Sequence, residues 1–116
     1  MLLTIAVIVG LAVMAHAKEY TDEQIASAIY QAEGGRKSQY PYGIRSIKCD
    51  TKAECKKICI KTIKNNRKRF ARDSKGFTYY LQFLASRYCP VGAGNDPRGL
   101  NKNWLKNVEY FLSKGE

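Results

Sequence analysis

The sequence predicts a mainly α-helical domain of about four helices with one short extended segment, held by two disulfides. Three observations carry that expectation. Four segments place apolar residues at helical spacing. Two of them open on capping boxes, Thr21 to Gln24 and Thr51 to Glu54. Four cysteines sit in a short chain whose first residues form an apolar leader.

Residues 2–14 carry no charged side chain, and Ala15-His16-Ala17 follows before polar sequence begins at Lys18 and Glu19. A short apolar core ending in A-x-A is the pattern of a secretory signal peptide. The run is short for a membrane span, which needs about 20 residues. Residues 1–17 are therefore expected to be a signal peptide and residues 18–116 a single domain of 99 residues. An uncleaved, shallow membrane anchor is the alternative.

The first helix opens at Thr21, where the hydroxyl can accept from the N3 amide and Gln24 can reach back. Ile25, Ala28, Ile29 and Ala32 then line one face, and Gly34-Gly35 ends the helix. Residues 36–48 lose the helical period. Tyr40-Pro41-Tyr42-Gly43-Ile44 reads as a turn into an extended segment, with Gly43 permitting an unusual backbone angle or a close ligand approach.

The second helix begins near Asp50 or Thr51, with Cys55, Ile58, Cys59, Thr62 and Ile63 on one face and lysines on the other. Asp50 itself reads as a cap for this helix. A third helix is expected from about Lys75 to Tyr88, with Phe77, Tyr80, Leu81, Leu84 and Tyr88 inward, stopped by Cys89-Pro90. After a Gly/Pro loop over residues 90–100, Asn101 is expected to cap a last helix with Trp104, Leu105, Val108, Phe111 and Leu112 on one side. Leu100 and Leu105 stand at hydrophobic-staple positions.

Cys49, Cys55, Cys59 and Cys89 all follow the leader. Cys55 and Cys59 lie on one helix face with nearly parallel Cβ vectors, so each is expected to reach a separate partner. Cys49–Cys55 and Cys59–Cys89 are the expected bonds, though four cysteines allow three connectivities. No C-x-x-C pair exists and the only histidine, His16, is in the leader, so no metal site is expected.

The net charge of +10 implies an anionic partner or surface. Export points to acidic envelope polymers or anionic lipid headgroups and away from nucleic acid. The basic run from Lys64 to Arg72 is read as a solvated helix end.

Glu33 is the most informative side chain. It continues the stripe of Ile25 and Ile29 and stands at the C-terminal end of its helix. A carboxylate there either points into a cleft or is desolvated, and the helix dipole disfavours negative charge at that end, so its pKa is expected to be raised; the alternative is a surface glutamate near a frayed helix end. A raised carboxyl is what a general acid for glycoside cleavage requires.

The stretch from Ile25 through Glu33 to Gly35, followed by Tyr42-Gly43-Ile44, resembles the start of the lysozyme-like lytic transglycosylase (SLT-type) superfamily. The stretch Phe83 to Pro90, then Asn95-Asp96-Pro97, Asn101 and Trp104 to Val108, resembles the closing segment of its small members. The resemblance implies a lysozyme-like fold, with Glu33 as catalytic acid and base and Tyr42, Gly43, Ile44, Ser46, Tyr88 and Asn95 along the substrate cleft. Tyr88 or Tyr42 would be the aromatic partner. Gly34 stands where typical members carry serine, and Arg45-Ser46 replace the usual Met-Gln.

The activity implied is cleavage of the β-1,4 bond between N-acetylmuramic acid and N-acetylglucosamine in peptidoglycan, giving 1,6-anhydro products without a cofactor. The implied setting is a monomer in the periplasm or outside the cell. The alternative is a non-catalytic cationic protein that binds cell wall or membrane on the same scaffold.

Overall fold

The computed structural model describes residues 19–38, 40–43, 49–92, 94 and 99–115. The leader and its cleavage point lie outside these residues, as do Ile44, Ser46 and Asn95. Among the described residues, no helix is long and apolar enough to cross a membrane.

The described chain is mainly helical, with four α-helices: α1 (Asp22–Ala32), α2 (Lys52–Arg72), α3 (Tyr80–Tyr88) and α4 (Trp104–Lys114). Short 3-10 turns cover Gly35–Lys37, Pro41–Gly43 and Leu100–Asn103. No strand occurs among the described residues, and the expected extended segment after Gly43 falls outside them. Helix α1 packs against α2, α4 and the Pro41–Gly43 turn, while α3 bridges α2 and α4.

The capping box of α1 forms as expected. Thr21 Oγ1 accepts from the Gln24 amide at 3.1 Å, and Gln24 Oε1 accepts from the Thr21 amide at 2.8 Å. Ile25, Ala26, Ala28 and Ile29 are buried. Ala26 widens the stripe because α1 is covered by α4 as well as α2.

Helix α2 is capped by Thr51, whose Oγ1 accepts from the Glu54 amide at 3.1 Å. Asp50 is therefore not the N-cap residue. Its backbone N–H instead donates to Glu54 Oε2 at 3.0 Å, so the returning half of the expected box is made one residue before the cap and ties the incoming chain to the first turn. The Cys49–Cys55 disulfide closes the same junction across a Cα–Cα distance of 5.3 Å.

The expected Cys59–Cys89 bond does not form. Tyr88 turns its hydroxyl to within 3.6 Å of the buried Cys59 Sγ. Cys89 follows α3 as its C-cap with non-helical backbone angles (φ −145°, ψ 69°), and the place beside Cys59 Sγ is taken by the Tyr88 hydroxyl.

Helix α3 starts at Tyr80 rather than near Lys75. Lys75 (φ 54°) and Gly76 (φ 83°) are left-handed and cannot lie inside a right-handed helix. Asp73 Oδ1 holds that turn by accepting from the Lys75 amide at 3.0 Å. Phe83, which the spacing did not place inward, is 3 % exposed. It packs with Phe70 and Phe77, so three rings join the end of α2 to α3.

The basic run over residues 64–72 forms the last turns of α2 and is partly structural. Buried Asn66 donates to the Thr62 carbonyl at 3.0 Å and accepts from Arg87 Nε at 2.7 Å, which links α2 to α3. Arg67 reaches α1, donating to Asp22 Oδ1 and to the Tyr20 carbonyl, each at 2.6 Å.

Asn101 does not cap the last helix. It lies within the Leu100–Asn103 turn and donates to the Pro90 carbonyl at 2.9 Å, bracing the preceding loop. Trp104, Val108 and Leu112 of α4 are buried, and Leu105 and Phe111 pack against them.

Candidate functional site

Glu33 closes α1. Its amide donates to the Ile29 carbonyl at 2.9 Å, and the chain then reverses through Gly34 in the left-handed region at φ 99°. This local stop leaves the side chain half-buried at the helix end, beside elements from two distant parts of the sequence.

One of those elements is the Pro41–Gly43 turn, closed by the Gly43 amide donating to the Tyr40 carbonyl at 2.8 Å. Gly43 faces the carboxyl group so closely that a Cβ there would lie 2.8 Å from Glu33 Cδ and about as near both oxygens. Gly43 also has φ 68°. Glycine meets both demands at once, since it lacks the atom that would collide and adopts this angle without strain.

The other element is the start of α4. Trp104 is 5 % exposed and donates from Nε1 to Glu33 Oε1 at 3.0 Å. Its ring stacks on Tyr88 with centroids 5.1 Å apart and planes 25° from parallel. The Tyr88 hydroxyl donates to the Tyr42 carbonyl. Tyr42 directly precedes Gly43, so contacts run from Glu33 through Trp104, Tyr88 and Tyr42 back to Glu33 in a closed circuit.

Tyr42 sits at φ 62°, a conformation that costs a side-chain-bearing residue about 1–2 kcal/mol. The Tyr88 bond and a ring contact with Tyr30, with centroids 5.1 Å apart, hold it there. Tyr42 is only 2 % exposed, so its ring belongs to the core and its backbone carbonyl serves the site.

Electrostatics follow from burial. Cys59 has its thiol pushed up to about 11, chiefly by burial; the Tyr88 hydrogen bond opposes the shift and the Glu33 charge adds to it. The Tyr88 hydroxyl is raised well beyond its usual range, again chiefly by burial, with Cys59 and Glu33 contributing. Both therefore stay protonated at neutral pH and act as hydrogen-bonding groups.

Four acidic side chains are engaged elsewhere. Asp22 pairs with Arg67, Glu23 with Lys56 and Asp73 with Lys75, while Glu54 accepts from the Asp50 amide. No group of three or more potential metal ligands occurs among the described residues.

Of the residues expected at the site, Glu33, Gly43, Tyr42 and Tyr88 are brought together. Trp104 and Cys59 join them without having been expected there. Trp104 reads from the sequence as part of a core stripe and of the closing segment that carries the resemblance, yet it is the one tryptophan in the chain and hence its only indole donor. No family model, no curated protein and no solved structure matches the chain.

Proposed function

We propose that this domain is a lysozyme-like lytic transglycosylase that cuts peptidoglycan between N-acetylmuramic acid and N-acetylglucosamine, with Glu33 as its single catalytic carboxyl group. The observation that carries this reading is the placement of Glu33. It stands half-buried at a helix end, with its carboxyl against Gly43 Cα and bonded by the Trp104 indole. Fixed geometry of this kind is what a proton-transfer group needs.

In the reaction, Glu33 protonates the oxygen bridging the two sugars as the bond to C1 of N-acetylmuramic acid breaks. The resulting carboxylate then takes the proton from that sugar's C6 hydroxyl as its oxygen bonds to C1. The product is a 1,6-anhydro sugar, Glu33 regains its proton, and no water is consumed. The Trp104 N–H favours the ionised state between the two steps by donating to it.

A hydrolytic muramidase ordinarily uses two carboxylates. Asp50 is the nearest carboxylate downstream of Glu33 for such a route, and an Asp50→Asn variant that still cleaves would support the one-carboxylate route. Glycan strands in the periplasm or outside the cell are the proposed partner. The second reading, a non-catalytic cationic protein that binds wall or membrane, draws on the net charge of +10.

The decisive experiment incubates the protein and its Glu33→Gln variant with purified peptidoglycan and identifies the products by mass spectrometry. The transglycosylase reading expects anhydro-muropeptides from the parent and a loss of about 10²–10⁴-fold in the variant. Reducing-end products would make it a muramidase. Intact glycan with retained binding would favour the binder.

A further inference from the structure

Helix α2 carries no acidic residue between Cys55 and Arg72, and its cations divide by face. Those turned toward α1 have partners: Lys56 pairs with Glu23 at 2.9 Å and Arg67 with Asp22 at 2.6 Å. Lys57, Lys61, Lys64 and Lys68 are exposed and make no ion pair among the described residues. At about 100° per residue, these four fall within roughly 60° of arc, opposite Cys55, Cys59, Ile63 and Asn66. They form a straight row about 16 Å long, at about 1.5 Å per residue. Beside them the half-buried Ile58 and Ile60 and the exposed Asn65 line a shallow depression of about 610 Å³.

We propose that this row is a docking track for a linear phosphodiester polymer of the poly(glycerol phosphate) type, lying along α2 with its phosphates on the lysines. A narrow line of ammonium groups matches a linear polyanion better than a plane of headgroups. A bilayer contact also calls for exposed large apolar side chains. Among the described residues the exposed ones are Tyr40, Val91 and Tyr110, none of them on α2.

Single-stranded nucleic acid calls for aromatic stacking platforms. The one aromatic residue of α2, Phe70, is engaged with Tyr80 and Phe83. Polyol phosphates lack bases, and the stems of the lysines with Ile58 and Ile60 offer apolar contact to their carbon chain. The choice of a wall polymer over duplex DNA rests on the reading of the domain as a wall enzyme. The track itself is independent of Glu33.

The test is fluorescence anisotropy with labelled poly(glycerol phosphate) at two salt concentrations. It compares the protein with a variant carrying Lys57, Lys61, Lys64 and Lys68→Gln. An equal-charge control carries Lys37, Lys102, Lys106 and Lys114→Gln. Glutamine preserves helix propensity, and circular dichroism checks the fold. The expected result is salt-sensitive binding that falls at least tenfold in the α2 variant and less than threefold in the control.

Glu33→Gln should bind the polymer like the parent, so a failure of the catalytic reading leaves this result intact. Equal losses in both lysine variants would overturn the track in favour of net charge. Binding as tight to phosphatidylglycerol vesicles, or to duplex DNA, with the same lysine dependence would overturn the polymer as the occupant. Absence of polymer binding by the parent would overturn the proposal outright.

Discussion

The Trp104 indole donates to the Glu33 carboxyl at 3.0 Å across 71 residues of sequence, and the same ring stacks on Tyr88. One side chain thereby fixes an oxygen of the candidate catalytic group and buttresses the tyrosine that holds the Tyr42–Gly43 turn. The site is a closed arrangement in which displacement of any member disturbs the next, and this yields separable expectations.

Trp104→Phe keeps a ring to stack on Tyr88 and removes the N–H. A hydrogen bond of this kind contributes about 0.5–1.5 kcal/mol net, so the variant should lose about 1 kcal/mol. If the bond also orients Glu33 for proton transfer, wall cleavage should fall about tenfold or more, since about 1.4 kcal/mol of barrier is a factor of ten. Urea unfolding and product release from peptidoglycan measure the two effects. Undiminished cleavage would remove Trp104 from the mechanism.

Gly43→Ala places a methyl group 2.8 Å from Glu33 Cδ on a residue with φ 68°. The left-handed angle costs about 1–2 kcal/mol for alanine. Overpacking adds about 1–3 kcal/mol unless the glutamate moves. Both routes predict a loss of cleavage, and a variant that loses only the roughly 1–2 kcal/mol of the backbone angle must have displaced the carboxyl. Thermal melts beside the activity assay separate the routes.

Tyr88→Phe deletes the hydroxyl that donates to the Tyr42 carbonyl while preserving the stack on Trp104. A buried acceptor left without this donor costs about 1–3 kcal/mol. Tyr42 sits at φ 62°, so the turn should loosen and amide exchange at Gly43 should quicken. Hydrogen exchange read by mass spectrometry over the peptide containing residues 40–43 tests this. Unchanged exchange would mean that other contacts hold the turn.

Alkaline pH should destabilise the fold in a defined window. The Cys59 thiol is raised from 9.0 to about 11 by burial. Between those values the unfolded chain has released this proton while the folded chain retains it, so rising pH favours unfolding. The loss amounts to about 2–3 kcal/mol by pH 11. Tyr80 and Tyr88, also raised by burial, act in the same direction from about pH 10 upward. Urea titrations at pH 8 and 10.5 should show the fall, and it should be smaller in Cys59→Ala. Alkylation without reductant gives a companion measurement. It should add two labels in urea and leave Cys59 unlabelled in the native protein at pH 8. No label in urea would reveal a second disulfide.

Much of this arrangement was legible in the chain because its causes are local. Thr21 and Gln24 are three residues apart, and a helix start depends on little else. Cys49 and Cys55 flank the first turn of α2, so their bond needed no knowledge of the rest of the fold. The spacing of Glu33 to Ile25 and Ile29 and the glycines after it place it at a helix end, and it does close α1. Gly43 reads as a place of unusual backbone angle or close ligand approach; it has the angle, and what lies close to it is the chain's own Glu33 carboxyl.

Local spacing misled where a side chain's direction mattered more than its position. Asn101 has the chemistry of a helix cap but turns to Pro90, because a 3-10 turn precedes α4. The apolar period running back through Phe77 suggested a longer α3, yet the left-handed Lys75 and Gly76 interrupt it. Cys59 and Cys89 both approach the core, but Tyr88 takes the place beside Cys59.

The sequence by itself determined that four helical segments occur, that Thr21 and Thr51 cap the first two and which carboxylate stands at a helix end, since each depends on residues within one or two turns. Only the tertiary structure decided what that carboxylate meets. Gly43 and Trp104 reach Glu33 because α1 packs at once against the Pro41–Gly43 turn and against α4. That is a matter of how helices cross and how side chains fill the space between them, and contacts between residues so far apart leave no periodic signal in the chain.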